Sequence, residues 1–207
     1  MIEVLVAASI GVVITGMLIA VWVALSSSWT ATARGSEARD FARDAVARMS
    51  RELRDMEPNV GQATAVTIAE PFRVRFSTTF NLAGNQSESV RPVMTEYSYE
   101  QVAKPDGSWE GVLHWRRYTD DGALDRDRIV SKNLLNDPVL LDEEGRPREA
   151  MFAYTYIDQN AKRATDSEPP SLDNILIVTV RVIVDMQPGR APRPMDLTTT
   201  VHLRNQQ

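Results

Sequence analysis

Between Met1 and Leu25 the only charged side chain is Glu3. The run from Val4 to Leu25 is uncharged and mostly apolar for 22 residues. As a helix rising about 1.5 Å per residue it reaches roughly 33 Å, enough to cross a hydrocarbon core of about 30 Å. Gly11 and Gly16 loosen such a helix without ending it. Trp22 and Trp29 lie near its far end, where indoles favour a membrane interface. A carboxylate at the edge of this run is costly unless it meets a cation. A secretory signal peptide has a basic start and an apolar stretch of about 7–15 residues. The acidic start and the longer run do not fit that pattern. A plain membrane anchor fits the length but gives no reason for Glu3. A third reading is an assembly helix that sits first in the membrane and later packs against other helices.

The whole chain has 207 residues, which leaves room beyond the apolar segment for one domain with a real core. A net charge of −5 gives little support to non-specific nucleic-acid binding, and no nucleic-acid partner is expected. The lack of cysteine excludes a disulfide framework and thiolate metal sites.

From Thr30 to Met56 apolar residues recur at steps of three and four: Ala38, Phe41, Ala42, Ala45, Val46, Met49, Leu53 and Met56. This predicts an amphipathic helix continuing the first segment. The opposite face carries Arg39, Asp40, Arg43, Asp44, Arg48, Arg51, Glu52, Arg54 and Asp55 and reads as solvated surface. Asp44–Arg48 and Arg48–Glu52 have the spacing of helical ion pairs. Pro58 ends the helix. No leucine-like heptad persists, so a coiled coil is disfavoured.

Beyond Pro58 the period changes to two. Phe72, Val74, Phe76, Thr78 and Phe80 alternate with polar residues, as do Val93, Thr95, Tyr97 and Tyr99. Trp109, Leu113 and Trp115 share a face opposite Glu110, His114 and Arg116. Phe152, Tyr154 and Tyr156 follow, then the most apolar stretch, Ile175–Val184, and finally Leu197, Thr199, Val201 and Leu203. These are half-buried strands of an antiparallel sheet with one wet face, six or more in number. Turn signals fall at Asn81–Asn85, Pro105–Gly107, Asp120–Gly122, Glu144–Gly145 and Pro188–Gly189. Asp158–Asp173 and Gln187–Pro194 read as long loops.

The stretch Met1-Ile2-Glu3-Val4-Leu5-Val6-Ala7-Ala8 resembles the start of a type IV pilin or type II secretion pseudopilin. That family reads Gly-Phe-Thr-Leu-Ile-Glu-Val-Leu-Val-Ala, with cleavage after the Gly; Ile2 through Ala7 match without a gap. Ala45–Asp55 also resembles a sequence common in minor pilins, of the W type, and in J-type minor pseudopilins. The resemblance implies a pilin-like α+β fold: a membrane and assembly half of one helix at 1–29, its amphipathic half at 30–57, and a β-rich domain at 58–207. It implies a minor subunit of a pilus or secretion pseudopilus, in the inner membrane with the domain extracytoplasmic. Glu3 would pair with the terminal amine of a neighbouring subunit, and Ile2, Val4, Leu5 and Val6 would pack in the helix core. Expected partners are other pilin or pseudopilin subunits, membrane lipid and the inner-membrane assembly platform. Met1 stands where the family has its third mature residue, so an upstream leader for the prepilin peptidase is expected. The rival reading is a single-pass anchor carrying an extracytoplasmic binding or sensory domain.

No catalytic constellation is legible: there is no Gly-rich phosphate loop and no Gly-x-Ser-x-Gly elbow. An enzyme, a cofactor and a metal are therefore not expected. His114 and His202 read as surface residues. Asp120, Asp121, Asp125 and Asp127 form the densest acidic group, but Arg126 and Arg128 interrupt it and the spacing is not that of an EF-hand. It reads as a hairpin turn with solvated acids.

Overall fold

A computed structural model describes residues 2–59, 62–79, 92–105, 107–187 and 193–203, with the side chains of 4–8 excepted. The fold is α+β: one long N-terminal helix and an antiparallel sheet. Helix α1 runs unbroken over Ile2–Arg54, 53 residues. It carries no proline, and Arg51 and Arg54 in its last turn complement the negative end of the helix dipole. The helix stops short of the expected 57. The Asp55 amide still bonds to the Arg51 carbonyl, while Met56 leaves the helix to bridge Thr78.

The second half of α1 buries Ala38, Ala42, Ala45, Met49 and Leu53. Alanines on this face let the backbone approach the sheet closely. Gly35 extends the same face, where a Cβ would overlap the Met186 carbonyl oxygen. Phe41, expected among these core residues, is 53 % exposed. It points roughly 70° round the helix from the alanine face and borders a groove instead of the core.

The strands are β1 (Val66–Glu70), β2 (Arg73–Thr78), β3 (Val93–Ala103), β4 (Trp109–Tyr118), β5 (Leu124–Leu134), β6 (Phe152–Ile157), β7 (Arg163–Asp166), β8 (Ile175–Asp185) and β9 (Pro194–His202). They pair antiparallel in the order β1-β2-β3-β4-β5-β8-β6-β7, with β9 on the other edge of β8. The expected alternating segments are all strands where they are described. Three strands were not expected. β1 and β7 are short, and β7 forms a hairpin with β6 inside the stretch read as a loop. β5 takes in Asp125 and Asp127, which were read as part of a turn; only Asp120 and Asp121 lie in it. Phe80, the Asn81–Asn85 and Pro188–Gly189 turns and most of the 187–194 loop lie outside the described residues, as does Asp106 of the Pro105–Gly107 turn.

The core is where α1 meets the sheet. Phe76, Tyr97, Leu113, Trp115, Phe152, Tyr154, Val178, Val180, Val182 and Val184 pack with the helix residues in one apolar cluster. A register shift opposite Thr155–Tyr156 places Ile175 in that cluster with Val178, leaving Leu176 half-buried. Trp109, expected to share the face of Leu113 and Trp115, is 66 % exposed at the far end of β4.

One edge of β8 is shared by two strands. β6 pairs along Ile175–Val180, while β5 meets it at a single position, Leu134↔Val184. Asn136 fills the gap between them. Its Oδ1 accepts the Ile183 amide at 2.9 Å, and its Nδ2 donates to the carbonyls of Arg181 and Glu149, each at 3.1 Å. The side-chain amide thus stands in for a missing peptide of the ladder, and its own carbonyl accepts the Tyr99 hydroxyl.

Candidate functional site

Among the described side chains, those of the first half of α1 are exposed. Val12, Val13, Ile14, Met17, Leu18 and Trp22 are exposed on every side of the helix, and the segment is long and apolar enough to cross a membrane. Apolar surface of this extent, all round one helix, belongs against lipid or other helices. Gly11 and Gly16 have open space where a Cβ would be. The Thr15 hydroxyl bonds back to the Gly11 carbonyl at 2.8 Å, so this polar group is satisfied within the helix. Ile2 and Glu3 are exposed at the start of the helix. Val4, Leu5 and Val6 are helical, and their side chains lie outside the described residues. Glu3 and the apolar surface described from Ser9 onward are thus both exposed on one unbroken helix.

The second half of α1 is tied to the sheet by a buried carboxylate. Glu52, expected on a solvated face, is 2 % exposed. Its Oε1 accepts Arg48 Nε at 2.8 Å, and its Oε2 accepts the Tyr97 hydroxyl at 2.9 Å and the Trp115 indole N–H at 3.2 Å. The Arg48 guanidinium also lies 4.2 Å from the Trp115 ring centroid. A buried charge needs this full set of partners. Burial first, and then the Glu52 charge, push the Tyr97 hydroxyl well above its usual range, so it remains a neutral donor. The Arg48–Glu52 helical pair expected from spacing is present, but it faces the core side.

The far face of the sheet is not simply wet. Arg75, Glu96, Arg116 and Asp127 sit directly opposite one another across β2, β3, β4 and β5, alternating in sign. Within this row Glu96 is 1 % exposed. Arg75 Nε reaches it at 2.6 Å and Arg73 Nη2 at 2.9 Å. Burial pushes the Glu96 carboxyl up, but the bonds from Arg73 and Arg75 prevail and hold it below its usual range. His114, expected as a plain surface residue, is tucked between carboxylates: Nδ1 lies 2.8 Å from Asp127 Oδ1 and Nε2 lies 3.9 Å from Glu100. Desolvation raises the Asp127 carboxyl, and its bonds with His114 and Arg116 outweigh this to leave it low. His202 is exposed on β9.

These groups are paired with one another as a structural network. The described residues contain no group of three His, Cys, Asp or Glu side chains arranged to hold a metal ion. Asp121 turns back to the Thr119 hydroxyl and the Ala123 amide, closing the β4–β5 turn around Gly122 at φ 81°. The Glu52 and Glu96 centres escaped the sequence reading, which saw charges on polar stripes. The one available signal was Arg48 four residues before Glu52. Comparison with protein-family models, with curated proteins and with solved structures finds no match for this chain.

Proposed function

We propose that this chain is a pilin-like filament subunit, a minor pilin or pseudopilin of a type IV pilus or type II secretion pseudopilus. The observation that carries the reading is the division of one unbroken helix: a bare apolar half led by Glu3, and a half sealed onto an antiparallel sheet. The apolar half first holds the subunit in the inner membrane as a single span, with the sheet domain outside the cytoplasm. An assembly platform then moves it into a filament, where neighbouring subunits' helices replace lipid. That exchange changes little net hydrophobic energy, because lipid tails and apolar helices are similar surroundings. Specificity then falls to Glu3: paired with a neighbour's terminal amine, it selects one stagger, since an unpaired carboxylate in low dielectric is costly. The subunit's role is structural.

The test is Glu3→Ala in the full-length precursor. Membrane insertion remains intact, and incorporation into sheared filaments or pseudopili falls. Normal incorporation would overturn the role of Glu3. Loss of every filament contact, with the anchor retained, would favour a membrane-tethered binding domain.

A further inference from the structure

A cleft of about 630 Å³ opens beside α1 where the bare half gives way to the packed half. Thr32, Ser36 and Arg39 line it from the helix, and Gln187, Arg193 and Met195 from the ends of β8 and β9. Two arginines line it together with hydroxyl and amide side chains. Arg39 Nε is shielded from solvent and has no hydrogen-bond acceptor; the Asp40 carboxylate comes only to 3.7 Å. Arg193 has no carboxylate partner among the described residues. The nearby Asp185 spends Oδ1 on the amides of Gln187 and Arg193. The cleft thus holds one arginine, Arg39, whose ion pair with Asp40 leaves its Nε without a hydrogen bond, and a second, Arg193, with no carboxylate partner among the described residues.

Its place along the helix says what can supply an anion. From Glu3 to Trp29 the helix rises roughly 39 Å, close to the full thickness of a bilayer with its headgroups, about 40–45 Å. Ala31 and Thr32 at the cleft's mouth follow Trp29 within one turn. Arg39 lies about 15 Å further along the helix than Trp29, and because side chains on a helix lean toward its N-terminus its guanidinium comes back part of that distance toward the membrane. The geometry points to the Arg39–Arg193 cleft as a seat for the phosphate of an anionic phospholipid headgroup. The bound lipid would fix the height and rotation of the sheet domain above the surface. This rests on the membrane placement proposed above and on nothing in the filament.

The test uses the full chain in vesicles of phosphatidylcholine with and without phosphatidylglycerol, followed by extraction and native mass spectrometry. The wild type retains phosphatidylglycerol in preference to phosphatidylcholine. Arg39→Gln and Arg193→Gln each lower that enrichment about fivefold, as expected for one basic residue near an anionic surface. Arg39→Lys keeps most of it, and Arg126→Gln, on exposed β5, leaves it unchanged. Equal retention of both lipids overturns the inference, as does an equal loss with Arg126→Gln. Displacement of the lipid by millimolar inorganic phosphate would show a small-anion site and overturn it too. Flotation with neutral vesicles separates the two readings. A chain that floats without lipid preference refutes the headgroup site alone, whereas one that fails to float refutes the anchor and the site together.

Discussion

The Tyr97 hydroxyl donates to Glu52 Oε2 at 2.9 Å, and this bond joins the third strand to the helix. With Trp115 and Arg48 it makes Glu52 the polar bolt in an otherwise apolar interface. Glu52→Ala leaves two donors and a cation buried without an acceptor. It is expected to lower stability by about 3–5 kcal/mol, the scale for breaking a buried ion pair. Tyr97→Phe removes one charge-assisted bond and costs about 1.5–3 kcal/mol. Chemical denaturation of the detergent-solubilised full chain, followed by tryptophan fluorescence, measures both. A Glu52→Ala loss no larger than that of Tyr97→Phe would refute the bolt.

Asn136 makes three bonds to backbone in the gap between β5 and β6. Asn136→Ala strips the Ile183 amide of its acceptor and opens a polar hole, at about 1–3 kcal/mol for an unsatisfied buried group. Hydrogen exchange gives the sharper readout. The Ile183 amide exchanges much faster in the variant, while Val180, paired with β6 and β9, changes less. Uniform acceleration across β8 would instead mean general loss of stability.

At Gly35 the helix and the end of β8 meet with no room for a methyl group. Gly35→Ala forces the Met186 backbone away and costs about 1–3 kcal/mol, the usual range for overpacking, despite alanine's better helix propensity. Ser36→Ala, one residue on, is the control and is expected to be neutral or stabilising. A thermal scan of both variants decides the matter.

Glu96 sets an acid limit. Its folded carboxyl lies below the unfolded reference of 4.5, so its contribution is fully present above that pH and is lost as pH falls through the lowered value. Stability measured against pH should therefore drop for the wild type below about pH 4.5. Glu96→Gln should be less stable at neutral pH and show a shallower acid decline. Parallel curves would remove Glu96 from the account.

The long helix and its alanine face were legible because a 22-residue uncharged run and a three-four period are both strong signals. Strands with clean alternation, such as β3 and β8, were legible for the same reason. β5 was not. Its first half, Leu124–Arg128, is exposed throughout and alternates acid with base, so no apolar face betrays it. Glu52 and Glu96 sat on stripes that read as solvent-facing. Their burial depends on Tyr97, Trp115, Arg73 and Arg75, partners from strands whose register no local pattern specifies. The Asn136 bridge is similarly non-local, since it exists only because β5 leaves β8 after one pair.

An unbroken α1 also has a mechanical consequence. No hinge separates the apolar half from the half fastened to the sheet, so the domain cannot choose its attitude independently of the span. A tilt of about 20° in a bilayer would carry the centre of the packed half sideways by roughly 10 Å. With the apolar half in a bilayer, any pull, twist or thinning felt there would arrive at the sheet as a displacement of the whole domain, and any load on the domain would return to the membrane as torque.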